Sequence, residues 1–130
     1  MHRILFILSF LFSQELANGM VLFTPYNSQD SINITYLTDY HFNEINTWEH
    51  DQNLVPASMP YLNQDSTIWY PCKSNNPTMV SGGVGGLIQK IDWNNNIIWE
   101  FSVSNDSLQH HHDIEPMPNG NILIIAWSRK

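Results

Sequence analysis

The sequence predicts an all-β protein made of short antiparallel strands. Apolar and polar residues alternate along several short runs, and Asn, Pro and Gly residues separate these runs as turn formers. Aromatic residues, which favour strands, make up 12% of the chain. A hydrophobic content of 42% provides enough apolar surface for a packed core and argues against a disordered protein.

The first residues of the chain stand apart from this pattern. Arg3 precedes the apolar run 4–12 (ILFILSFLF), which only Ser9 interrupts. A basic start followed by about ten apolar residues is typical of a secretory signal peptide, whereas a membrane-spanning helix needs about twenty. We expect a signal peptide over 1–19, cleaved near 13 or 19, no other membrane association, and a periplasmic or secreted mature protein. A buried terminal strand or helix is the alternative.

Charge and cysteine content narrow the classes of partner. The remaining residues 20–130 suffice for one small domain. Twelve Asp and Glu residues oppose five Lys and Arg residues, so no basic surface is available for a nucleic acid. Cys72 is the one cysteine and cannot form an internal disulfide. We expect it to be buried, with pairing to another chain as the alternative.

The alternating runs predict eight strands joined by polar turns. Asn119-Gly120 is the clearest of these turns, because Asn-Gly is the strongest short hairpin signal. The predicted strands form two units of four: 32–37, 45–48, 57–62 and 67–70 in the first, and 86–92, 97–101, 111–117 and 122–127 in the second.

These two units resemble a repeat. Trp48 and Trp99 are 51 residues apart, and Asn63 and Asn119 are 56 residues apart. A period near 50 residues indicates propeller blades or arrays, since a four-stranded unit has two apolar faces that it buries by stacking on neighbours. We therefore predict about two four-stranded antiparallel blades of a β-propeller within 20–130. Two blades do not close a propeller, so we also expect an open flank and an oligomer formed through an exposed blade edge.

A glycine-rich segment, 81–86 (SGGVGG), precedes the first strand of the second unit. Backbone without side chains allows close approach of neighbouring strands. Gly83-Val84-Gly85 is not followed by a helical pattern, which argues against a phosphate-binding loop.

Histidines are concentrated at His110, His111 and His112, followed by Asp113. Strand alternation predicts that His110 and His112 share one face, with the other two residues on the opposite face. Imidazole serves in acid–base and anion-stabilising roles near neutral pH. The alternatives are a solvated loop, a chance metal-binding cluster, or residues capping a strand edge. We expect neither a metal site, because further ligands at suitable spacing are missing, nor a cofactor.

Two further histidines lie in the first predicted unit. His41 and His50 fall in its hairpin and the following loop, and we expect both on the surface.

The run 111–123 (HHDIEPMPNGNIL) resembles the His-His-Asp, proline, Asn-Gly-Asn signature of the bacterial arylsulfotransferase family. The run 91–100 (IDWNNNIIWE) is similar to the strand, Asp, turn, aliphatic, Trp pattern of that family, and 36–48 looks like a degenerate first copy. The resemblance covers most of 20–130. It departs from the family in the first unit, where 63–66 (NQDS) replaces a glycine turn and no His-Asp pair occurs.

The resemblance implies a six-bladed propeller that transfers a sulfuryl group from an aryl sulfate ester to a phenolic acceptor through a sulfated histidine. It implies catalytic roles for His111 and His112 and an orienting role for Asp113. The family draws its catalytic histidines and an arginine from several blades, whereas this chain offers only Arg3 and Arg129. The resemblance therefore implies an N-terminal portion of such an enzyme that is inactive alone.

Two other functions are compatible with blade repeats. A non-catalytic propeller segment could bind a carbohydrate or a protein through Trp69, Trp93 and Trp127. A quinone-dependent propeller dehydrogenase would require calcium-ligating carboxylates and a bound chromophore.

Overall fold

The computed structural model describes residues 19–26 and 32–129, and these residues form strands and no helix. The all-β prediction is confirmed, whereas the predicted signal peptide lies, apart from Gly19, outside the described residues. The strands are β1 (Met20–Phe23), β2 (Asn33–Asp39), β3 (Glu44–His50), β4 (Tyr61–Leu62), β5 (Ile68–Lys73), β6 (Gly86–Ile91), β7 (Ile97–Ser102), β8 (Leu108–Pro116) and β9 (Ile122–Ser128).

The strands form three antiparallel sheets in chain order. The first sheet has the order β1-β2-β3, the central sheet β4-β5-β6-β7, and the third sheet β8-β9. Within each sheet, consecutive strands pair with each other, and residues 74–85 form a long connection between β5 and β6. None of the three sheets closes on itself.

The grouping of strands differs from the predicted units. The predicted first unit contains β5, yet β5 pairs with β6 over the full register from Ile68↔Ile91 to Lys73↔Gly86. One four-stranded sheet therefore replaces the two predicted. The predicted strand 57–62 is also wrong in length, because within it only Tyr61–Leu62 forms a strand paired with β5. Before it, Pro56 forms an isolated bridge with Cys72 of β5, and Pro60, which has no backbone N–H to donate, separates this bridge from β4.

Four hairpin turns share one backbone conformation. In each turn the first residue exchanges backbone hydrogen bonds with the fourth and fifth, and the fourth residue is left-handed. Gly120 (φ 84°) occupies this position in the predicted Asn-Gly turn, where glycine carries no steric penalty. The other three turns place Phe42 (64°), Ser66 (61°) and Asn95 (67°) there. The turn prediction at Asn119-Gly120 is confirmed.

The shared turns define which residues are structurally equivalent. Asp39 and Asp92 begin the turns of the β2–β3 and β6–β7 hairpins, and each carboxylate accepts backbone N–H groups from its own turn. With these turns superposed, Trp48, opposite Thr35 in its hairpin, corresponds to Phe101, opposite Ile88. The 51-residue spacing from Trp48 to Trp99 thus joins residues that are not equivalent.

The central sheet contributes to two separate cores, because alternate residues of a strand point to opposite faces. Ile68, Tyr70 and Cys72 of β5 pack toward the first sheet, together with Leu37, Trp48 and Ile91. Trp69 of β5 packs toward the third sheet, together with Ile88, Val103 and Ile114. Cys72 is fully buried, which confirms the expectation for this residue.

Polar contacts join the first sheet to the β6–β7 turn. The indole N–H of Trp48 donates to the carbonyl of Asp92 (2.7 Å), and the Asn46 amide donates to the carbonyl of Trp93 (3.0 Å). These bonds fix the stacking of the first two sheets.

Exposed apolar side chains occur on β7 and on the third sheet, among other places. All six residues of the edge strand β7 are exposed. On the outer face of the third sheet, Leu123 and Ile125 are also exposed. Within residues 19–26 and 32–129, no helix is long and apolar enough to cross a membrane.

Candidate functional site

A bulge in β8 shapes the histidine cluster. His110 pairs with Ala126 and Ile114 pairs with Ile124, so residues 111–113 lie opposite Ile125 alone. His112 adopts a left-handed conformation (φ 61°) within this bulge. The predicted alternation is therefore wrong: His110 is fully buried, whereas His112 is exposed. Extra residues in one strand re-aim side chains, which is the general effect of a bulge.

His110 has a structural position. Its Nδ1 accepts the backbone N–H of Gly86 (3.2 Å), so the proton resides on Nε2, which donates to the carbonyl of Asp113 (3.3 Å). Burial lowers the pKa of His110, which favours the neutral ring. This imidazole holds the bulge against the glycine-rich segment.

The glycines allow the histidine rings to approach the neighbouring backbone. A Cβ atom at Gly83 would overlap the ring of His112, and one at Gly85 would overlap the ring of His110. Two backbone bonds join the same segments: His112 N–H to the carbonyl of Gly83 (2.6 Å), and Gly85 N–H to the carbonyl of His110 (3.0 Å). The glycine-rich segment is thus the surface on which the histidine bulge rests.

His111 and His112 form a pair of contacting imidazoles. Nδ1 of His112 lies 2.9 Å from Nε2 of His111, and the two rings are nearly perpendicular (87°). The ring of His111 also packs on Trp127, with 4.2 Å between centroids. Two neighbouring imidazoles can pass a proton, because one donates while the other accepts. The sequence prediction named both histidines but gave no indication of the contact with Trp127.

Asp113 has a different partner from the one that the resemblance implies. Both carboxylate oxygens accept the hydroxyl of Tyr61 (2.8 Å each), and Oδ1 also accepts the N–H of Ile114. Only the backbone carbonyl of Asp113 contacts an imidazole, that of His110. Burial and the bond to Asp113 raise the pKa of Tyr61 to about 12, so this tyrosine stays protonated as a donor.

Tyr61 is not among the candidate residues that the sequence predicts. It lies 52 positions before Asp113 and belongs to another sheet. No local pattern near Tyr61 indicates its partner, since the contact depends on how the central and third sheets stack.

The other candidate residues lie apart from the histidine pair. His41 is exposed as expected, but the surface expectation for His50 is wrong, since it is buried against Tyr70 with parallel rings 3.6 Å apart. Nε2 of His50 lies 2.8 Å from the Thr35 hydroxyl, whereas its buried Nδ1 has no hydrogen-bond partner within the described residues. The Arg129 guanidinium donates to the carbonyl of Thr78 (3.3 Å).

The three tryptophans of the binding alternative differ in accessibility. Trp69 is only 8% exposed and has Lys90 over its ring, which leaves it unsuited to a ligand. Trp93 is 39% exposed at the β6–β7 turn. Trp127 is partly buried beside His111.

Across residues 19–26 and 32–129, no three His, Cys, Asp or Glu side chains converge to hold a metal ion. Comparison with known proteins gives no match to a family model, to a curated protein or to a solved structure.

Proposed function

We propose that this chain forms the N-terminal blades of an arylsulfotransferase-like propeller and supplies imidazoles to its catalytic centre. The observation that carries the proposal is the His111–His112 pair, which a bulge presents to solvent beside Trp127. The face-to-face stacking of consecutive antiparallel sheets supports the propeller, because blades bury their two faces in this way.

The proposed reaction has two half-steps. A histidine nitrogen attacks the sulfur of an aryl sulfate, the bond from sulfur to the aryl oxygen breaks, and the phenolate leaves and takes a proton. The acceptor phenol then loses its proton and attacks the same sulfur, and the N–S bond breaks. Sulfuryl transfer between oxygens resembles phosphoryl transfer, in which positioning and stabilisation of oxygen charge provide most of the catalysis.

The histidine pair suits proton transfer in both half-steps. One ring donates a proton to the leaving phenolate and, through its neighbour, the pair accepts one from the incoming phenol.

In this proposal, cationic side chains outside the three described sheets stabilise the negative charge on the sulfuryl oxygens. A sulfuryl group in transfer carries negative charge on several oxygens, which cationic side chains stabilise. Arg129 contacts a backbone carbonyl instead of the histidine pair. We therefore expect the isolated 130-residue chain to be inactive.

The test uses the natively exported protein, with 4-nitrophenyl sulfate as donor and phenol as acceptor. We expect sulfuryl transfer that falls about a hundredfold or more in His112→Ala, because a general acid–base group contributes at least that factor. His41→Ala is the matched control, since His41 is also an exposed histidine at a hairpin.

Two results would count against the proposal. Absence of transfer by the exported protein, or full activity in a His111→Ala/His112→Ala double variant, contradicts the function. Transfer by the isolated 130-residue chain contradicts only its incompleteness.

A further inference from the structure

Two connected clefts lie between the central and third sheets, away from the histidine pair. The larger has a volume of about 570 Å³ and lies where the β4–β5 and β8–β9 turns approach each other. The smaller, of about 380 Å³, extends it toward β7. Both are lined by Trp69, Lys90, Gly120 and Asn121, so they form one continuous groove. Neither His111 nor His112 lines this groove.

Polar side chains with unused hydrogen-bonding capacity line the larger cleft. Glu115, Gln64 and Asn121 are exposed, and within the described part of the chain their side chains make no hydrogen bond. Lys90 makes one ion pair, to Asp65 at 3.1 Å, which leaves donors on its ammonium group. The cleft thus offers both donors and acceptors to a ligand.

An aromatic side chain lies at the other end of the groove. Trp99 is 41% exposed and lines the smaller cleft. Its ring is positioned by an edge contact with Trp69 (5.4 Å between centroids, 87°) and by Phe101 beside it (5.8 Å, 26°). An indole that is half-exposed and held by two aromatic neighbours provides a preformed stacking surface.

The charges along the groove select among ligand classes. Asp65 and Glu115 outnumber Lys90, so an anionic ligand would meet net repulsion. A hydroxyl group can donate to the carboxylate and accept from the ammonium or amide groups. A ligand rich in hydroxyls with an apolar ring face therefore matches both ends of the groove.

We propose that this groove binds a neutral oligosaccharide, with one sugar ring stacked on Trp99 and the next rings bonded by Asn121, Gln64 and Glu115. The proposal is independent of sulfuryl transfer, because no residue of the histidine pair takes part. It assigns the stacking surface for the carbohydrate to Trp99, instead of to Trp69, Trp93 or Trp127.

The test is calorimetric titration of the mature protein with cellohexaose, xylohexaose and mannohexaose, and with hexagalacturonate as the anionic probe. We expect at least one neutral hexasaccharide to bind, and to bind more tightly than hexagalacturonate. Trp99→Ala should weaken that binding about tenfold or more, since the ligand loses both the stacking contact and the apolar area that the indole covers.

Trp93→Ala is a matched control. Trp93 is 39% exposed and packs edge-on against Trp48 (5.7 Å, 88°), as Trp99 does against Trp69, but it does not line the groove. We expect the Trp93→Ala variant to bind the neutral hexasaccharide with unchanged affinity. In the unmutated protein, the assigned indole N–H signal of Trp99 should shift on titration while that of Trp93 stays in place, which tests the site without any variant.

Three outcomes would overturn the inference. The first is that none of the neutral hexasaccharides binds at millimolar concentration. The second is that hexagalacturonate binds more tightly than all of them. The third is that the ligand shifts the indole N–H signal of Trp93 and leaves that of Trp99 unchanged.

Discussion

The two faces of the central sheet differ in how completely they are covered. Toward the first sheet, Trp48, Ile68 and Tyr70 are fully buried. Toward the third sheet, Ile88 is also fully buried, but Trp69 and Val103 keep 8% of their surface exposed, and the groove opens between the layers. The bulged strand and the glycine-rich segment also lie on this second side. The central sheet therefore gains most of its stability at the interface with the first sheet, whereas its accessible polar and aromatic groups lie at the interface with the third sheet.

The largest expected difference is in the free energy of unfolding of two tryptophan variants. Trp48→Ala should lower it by about 3–5 kcal/mol, because a fully buried indole leaves a cavity. It also removes the bond to Asp92. Trp99→Ala, on the side of the third sheet, should lower it by about 1 kcal/mol, since 41% of that side chain is already exposed. Urea unfolding measures both, and equal losses would refute the comparison.

A pH titration of stability should also distinguish the covered side. Burial lowers the pKa of His50 from 6.5 to about 4, so the unfolded chain binds a proton before the folded protein does. The associated stability is fully present above pH 6.5 and is lost as the pH falls toward 4, by up to about 3 kcal/mol. The slope between these values should become shallower in His50→Phe than in the unmutated protein. Identical slopes in the two proteins would contradict the assignment.

The smallest predicted effect tests the contact between the glycine-rich segment and the histidine bulge. Gly85→Ala should destabilise the protein by about 1–3 kcal/mol, because the added methyl group meets the buried His110 ring. Gly82→Ala is the control, since no atom lies within 4 Å of its added carbon. We expect it to change stability by less than about 0.5 kcal/mol. Thermal unfolding measures the stability of both variants. Unchanged stability in Gly85→Ala would contradict the expected clash with the His110 ring.

Local patterns were sufficient to predict most strands and the turn at Asn119-Gly120. They depend on alternation and on backbone preferences that a few neighbouring residues express. The strand β1 was missed, and the placement of β5 beside β6 was not foreseen. That pairing depends on the path of residues 74–85 between the two strands, which no short-range pattern specifies.

The candidate site shows the same limit. The residue types of the histidine cluster were evident, but their directions were not, because the bulge at 111–113 and the left-handed His112 break the alternation. The contact of Tyr61 with Asp113 joins residues 52 positions apart. Predicting such a contact requires the stacking of two sheets.

The reactivity of the buried Cys72 thiol reports on opening of the interface between the first and central sheets. It is the one cysteine in the chain, it lies in the core between the first and central sheets, and burial raises its pKa to about 12. A thiol reagent therefore reacts only after that interface separates, since the thiolate is the reactive form. The rate at which a thiol reagent labels the unmodified protein thus measures how often these two sheets separate, and no engineered cysteine is needed.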